Sequence, residues 1–182
     1  MNTALLLIDI QNDYFPRGAN PLVGAERACQ NALQVLTAFR ELELPAVHVQ
    51  HISLSPSATF FLPNTHGAAL RASLTPLPNE KQVVKHTPNS FIDTNLLGYL
   101  QDRKITNLVI CGMMTHMCVD ATVRAAKDLG FSCTLISDAC ATKDLSLDGR
   151  NVMARDVQIS FLAALNETYA TVISAEEYLS KL

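Results

Sequence analysis

Short β-branched or leucine-rich runs alternate with amphipathic stretches along nearly the whole 182-residue chain, and this rhythm restricts the possible folds more than any other feature. A short apolar run bounded by turn residues reads as a strand, and a helix-period segment after it completes half of a βαβ unit. The expected class is therefore α/β with a mostly parallel six-stranded sheet. Strands are expected at 4–9, 45–51, 81–85, 106–111, 131–136 and 170–174. Helices are expected at 23–42, 93–103, 116–129 and 149–165, with a short closing helix near 175–181. No repeat, low-complexity tract or linker interrupts the pattern, so residues 1–182 read as one domain.

One stretch breaks the rhythm. Residues 52–80 contain Pro56, Pro63, Pro76 and Pro78 and are too long for an ordinary connection. Such an excursion is either an active-site cover, with Phe60, Phe61 and His66 offering side chains to a small pocket, or an irregular surface loop with one helical turn at 68–74. The charges, 14 basic and 17 acidic for a net −3, are scattered, which argues against a nucleic-acid groove or a membrane-surface patch. The amino-terminal run is interrupted by Asp9 and lacks a basic flank, so it is not read as a signal peptide. No membrane span is expected, and five cysteines, most of them in or beside apolar runs, fit a reducing cytoplasmic setting.

In an open parallel sheet the ligand site lies beyond the carboxyl ends of the strands. Three residues stand there: Asp9 after the run LLLI, Lys85 after QVV, and Cys118 just past NLVICG at the start of the third helix. A carboxylate at the end of a buried run costs several kcal/mol of desolvation unless a cation or donors accompany it. Lys85 poses the same problem with the opposite sign, so a buried ion pair would satisfy both. Unpaired N–H groups and the helix dipole favour a thiolate at Cys118 and could hold the oxyanion that forms when it attacks a carbonyl. Read singly, Asp9 and Lys85 could each mark a strand leaving the core for water, and Cys118 could be a packed thiol like Cys111 and Cys133. Read together they suit acyl transfer, with Asp9 moving the proton and Lys85 holding Asp9 in place.

Four segments, LLLIDIQNDY (5–14), VVKHTPNSF (83–91), CGMMTHMCVDATVRAAKDLGF (111–131) and ISDAC (136–140), resemble those of the isochorismatase-like cysteine hydrolases, a superfamily that includes nicotinamidases and other small amide and carbamoyl hydrolases. The resemblance implies a three-layer αβα sandwich, assembly as dimers or tetramers, and a catalytic triad of Asp9, Lys85 and Cys118. It also implies a cis bond between Met113 and Met114, with the Met114 and Cys118 amides forming the oxyanion hole. Gln11, Tyr14, Phe15 and Phe91 match pocket-lining positions of the family, and His116 is expected at the substrate. Nicotinamidases carry an Asp-x-His pair for a metal after the second strand, where this chain has His51-Ile52-Ser53, so no metal or other cofactor is expected. They also usually place Asp where His116 stands. Isochorismate-cleaving vinyl ether hydrolases resemble the chain at His116 but typically lack the thiol of Cys118.

The expected function is thus hydrolysis of a small amide, carbamoyl or related C–N substrate through a thioester. Vinyl ether hydrolysis is the alternative, followed by a non-catalytic binding or scaffold role on the same fold. The spacing of Cys111, Cys118, Cys133 and Cys140 is wrong for structural zinc, and the turn IDIQNDYFPRG lacks the glycine pattern of a dinucleotide site.

Overall fold

The computed structural model describes residues 2–182. Eight strands form two sheets, β1 (Thr3–Ile8), β2 (Ala46–His51), β3 (Lys81–Lys85), β4 (Asn107–Met113), β5 (Ser132–Ala141), β6 (Leu145–Leu147), β7 (Arg150–Val152) and β8 (Thr171–Ile173). Six of them make one parallel sheet in the order β3-β2-β1-β4-β5-β8. Five helices join them: α1 (Ala25–Glu41), α2 (Leu96–Asp102), α3 (Asp120–Asp128), α4 (Ala154–Thr168) and α5 (Ala175–Leu179).

Side chains alternate across each strand, so β1 feeds two cores. Leu5 and Leu7 join Ala32, Leu36 and Phe39 of α1 on one face. Ala4, Leu6 and Ile8 join Leu96 and Leu100 of α2, Val123 and Ala126 of α3, and Leu162 and Leu165 of α4 on the other. The result is the expected three-layer αβα sandwich. None of its helices is long and apolar enough to cross a membrane among the described residues.

The expected helix at 149–165 begins five residues late. Asp148 and Gly149 both take positive φ, 50° and 73°, and turn β6 back antiparallel on β7 before α4 begins. Asp-Gly in that conformation matches the right-handed twist of a two-residue hairpin. The third helix does not start as an α-helix either, because Thr115–Val119 forms a single π-helical turn ahead of α3.

The 52–80 excursion is strapped to the loop after β1. Buried Asp13 accepts hydrogen bonds from the Phe61 amide (2.7 Å) and the Ala19 amide (3.2 Å), and its own amide donates to the Gly67 carbonyl at 2.9 Å. A Cβ on Gly67 would fall 2.1 Å from Asp13 Oδ1, so only glycine lets the two segments close. The expected helical turn at 68–74 shrinks to a 3-10 turn at Ala72–Leu74. Farther along, Glu80 meets Arg40 at 2.7 Å and buried His48 at 2.9 Å. Those bonds, with the Leu77 amide, hold the Glu80 carboxyl at about 2 despite its partial burial.

Gly112 allows β4 to lie against β1 where the site begins. Its φ is 149°, and a Cβ there would meet Ile8 O at 2.3 Å and Ile8 Cβ at 2.7 Å. Both obstacles belong to a central strand and cannot swing aside. Gly112→Ala is therefore expected to cost roughly 2–4 kcal/mol, measured as a lower urea midpoint with an unchanged m value.

Candidate active site

Asp9 follows β1, Lys85 ends β3, and Cys118 sits in the π turn beyond β4, so the carboxyl edge of the sheet gathers three distant segments. Asp9 adopts φ 53°, a left-handed conformation that aspartate tolerates better than most residues. Its carboxylate is wholly enclosed, with Oδ2 2.8 Å from Lys85 Nζ. The ammonium approaches off the hydrogen-bonding angle, making this an ion pair, and no protein donor meets Asp9 Oδ1 among the described residues. Lys85 Nζ also donates to Cys118 Sγ at 3.3 Å and to the Thr87 carbonyl at 3.0 Å, and lies 3.0 Å from His51 Nδ1.

His51 is a participant that the sequence marked only as a departure from the metal-binding pair of nicotinamidases. Burial first, then the charge of Lys85, hold its pKa down at about 4. A neutral His51 can offer the Nδ1 lone pair as an acceptor to the ammonium. The only signal for this in the chain is that His51 ends β2, in register with Lys85 on β3.

Burial opposes the preference for a thiolate that the helix start would give Cys118. Burial pushes the Cys118 thiol far above its ordinary value, and the charge of Asp9 adds to this while Lys85 opposes it. Desolvation likewise raises Asp9, countered by Lys85. The arrangement is an Asp9–Lys85 ion pair beside a protonated thiol, with a carboxylate oxygen of Asp9 within 4.8 Å of the sulfur.

The Met113–Met114 peptide is cis. Hydrogen bonds from the Met117 and Val119 amides both close on the Met114 carbonyl, at 3.0 and 3.3 Å, passing over the Cys118 amide between them. One-turn π segments of this kind recur at functional sites.

Three of the expected pocket residues have other roles. Gln11 is fully buried and spends its amide on backbone: Nε2 donates to the His51 and Ala68 carbonyls at 2.9 and 2.7 Å, and Oε1 accepts from the His51 amide at 2.8 Å. It clamps the excursion to β2 and has no N–H donor left for substrate. Phe15 is 1% exposed and lies under the Arg71 guanidinium, 4.3 Å from its ring centre, in the core. Phe91 stacks on Phe131, which enters β5 from the amino-terminal edge of the sheet, opposite the reactive groups. Tyr14 does stand by the site: burial, then the neighbouring Cys118 and Asp9, raise its phenol, and its ring packs edge-on to Phe61 at 4.6 Å. The excursion thus supplies a wall of Phe60 and Phe61 against Tyr14 and His51. His116 sits at the rim, half-buried, with Nδ1 against the Thr142 hydroxyl.

Asp9, His51 and Cys118 each bring one ligand atom within 4.8 Å of the others, a spacing that could hold a metal ion. The Lys85 ammonium already contacts all three, so a metal would have to displace it.

The model of the Isochorismatase domain family matches residues 3–177. An isochorismatase family protein of Bacillus subtilis strain 168, YddQ, is 50% identical over 179 residues, covering 98% of this chain and 99% of that one. Streptothricin hydrolase of Streptomyces noursei is 35% identical over 142 residues, 78% of this chain and 50% of its own. Among solved structures, an isochorismatase from Pseudomonas putida KT2440 superposes with a TM-score of 0.90 at 33% identity, covering 97% of this chain and 89% of that one.

Proposed function

Because the chain belongs to the isochorismatase family of hydrolases, we propose that it is a cysteine hydrolase of small amide, carbamoyl or related C–N substrates, working through a thioester. The observation that carries this reading is the contact of one ammonium with a carboxylate at 2.8 Å and a thiol at 3.3 Å, all three groups buried and drawn from separate segments. Asp9 Oδ1 takes the thiol proton as Sγ bonds to the carbonyl carbon. The oxyanion falls to the Met114 and Cys118 amides, which need no reorganisation to receive it. Collapse breaks the C–N bond, and Asp9 returns the proton to the departing ammonia or amine. Water, deprotonated in turn by Asp9, attacks the thioester and releases the acid and Cys118. Lys85 keeps Asp9 ionised in a dry setting where a lone carboxylate would be neutral.

The chain's thiols, all five unpaired by disulfides, suit a reducing compartment, and we place the enzyme in the cytoplasm as a homo-oligomer without a cofactor. An ammonia-release screen over small amides, ureides and carbamates tests the function. At least one class is expected to turn over, and silence across all of them would contradict the proposal. Because Lys85 fills the space between the possible metal ligands, turnover is expected to survive prolonged chelation. A loss restored by zinc or iron would show that the metal belongs.

A further inference from the structure

The geometry points to a carboxylate-binding subsite at the rim of the active site, formed by Lys143 and oriented by Asn20, so that the substrate is a short amide or carbamoyl compound that also carries a carboxylate. This rests on the amidase reading above and narrows it.

Register sets the position. Met113 of β4 pairs with Ala141 of β5, so the residues that follow, Met114 on one strand and Thr142-Lys143 on the other, leave the sheet side by side. Lys143 Nζ donates to Asn20 Oδ1 at 2.8 Å, and Asn20 Nδ2 lies 3.9 Å from Met114 Sδ. Thr142 ties the same corner together: its hydroxyl meets His116 Nδ1, and its carbonyl accepts from the Val23 amide at 2.9 Å. Lys143 is therefore tied through Asn20 to the side chain of Met114, whose amide is the proposed oxyanion donor.

No salt bridge holds Lys143. Lys143 is half-buried, yet among the described residues no carboxylate oxygen lies within 4.0 Å of its nitrogen. The acids on neighbouring segments are engaged by backbone amides: Asp13 by Phe61 and Ala19, Asp144 by Ala154, and Asp138 by Ala175. Asn20 orients the ammonium without neutralising it and leaves two N–H donors unspent. Burial first, and then the nearby Lys143 charge, lower the His116 imidazole pKa, so it adds little positive charge beside Lys143. One ammonium, held by Asn20, matches a single carboxylate.

Succinamate and butyramide have nearly the same shape and differ in the terminal charge, so the ratio of their kcat/KM values isolates the subsite. Native protein is expected to favour succinamate, and Lys143→Met to lower that ratio by roughly 10- to 100-fold, the range for loss of a charge-assisted hydrogen bond. The change should fall mainly in KM, with partial recovery in Lys143→Arg. An unchanged ratio, with both substrates losing equally, would reduce Lys143 to a strap for the loop around Asn20 and overturn the inference. If native protein hydrolyses neither amide, the two readings separate by calorimetric titration with succinamate. At least tenfold weaker binding by Lys143→Met supports the subsite, whereas equal binding, or none by native protein, overturns it.

Discussion

Replacing Cys118 with serine should abolish ammonia release, lowering kcat by at least about 10⁴-fold while the protein remains folded. The buried thiol is already hard to ionise, and a hydroxyl in its place would be harder still. Asp9, the carboxylate beside it, has little driving force to deprotonate an alcohol. The stability change should be small, because Sγ to Oγ removes little volume and Lys85 can donate to either atom. Measured side by side, kcat should collapse and the urea midpoint should barely move. Activity surviving in the variant would contradict the assignment of Cys118 as nucleophile.

Asp9→Asn should separate two properties that usually travel together. Turnover is expected to fall by roughly 10³-fold, because the proton acceptor has gone. Alkylation of Cys118 should instead become faster near neutral pH. The charge of Asp9 helps to hold the thiol up, and Lys85 alone opposes it. With Asp9 neutral, Lys85 loses its carboxylate partner and the thiolate becomes its counter-ion, so the midpoint of the alkylation profile moves to lower pH. In native protein the iodoacetamide rate should still be climbing above pH 9. The acid limb of kcat/KM follows the same logic with the opposite sign: burial raises Asp9 above the usual aspartate range, so activity is lost as pH falls through that raised value. An Asp9→Asn alkylation profile superimposable on the native one would show that the two groups are not coupled.

Much of this site is legible in the sequence because its rule is local. A charged or nucleophilic residue at or just past the end of an apolar run lies at the carboxyl edge of a parallel sheet; Asp9 and Lys85 satisfy that test directly, and Cys118 does so across the short turn that follows β4. The family resemblance added the Met113–Met114 peptide, which nothing in the spacing of residues signals. What stayed hidden depends on how the 52–80 excursion travels. Gln11 sits in a motif that resembles a binding position, but its amide is consumed by the backbone of His51 and Ala68, a contact between residues 57 positions apart. Phe15 and Phe91 could not be told from core by sequence; the structure buries Phe15 in the core and packs a half-buried Phe91 against the core on the other face of the sheet. Lys143 escaped notice because its meaning depends on Asn20, 123 positions earlier. The Asp148-Gly149 turn was a readable hairpin signal, yet its strands are three residues each and exposed, too short to show alternation.

The most direct measurement is the intact mass of the protein, acid-quenched during steady turnover of a hydrolysed amide. A nucleophilic Cys118 should carry the acyl group, adding the substrate's mass minus ammonia or amine, mapped to the peptide containing residue 118. The adduct should be absent from Cys118→Ser. Turnover at full rate with unmodified Cys118 at every quench time, or an acyl group mapped to another side chain, would contradict the covalent route.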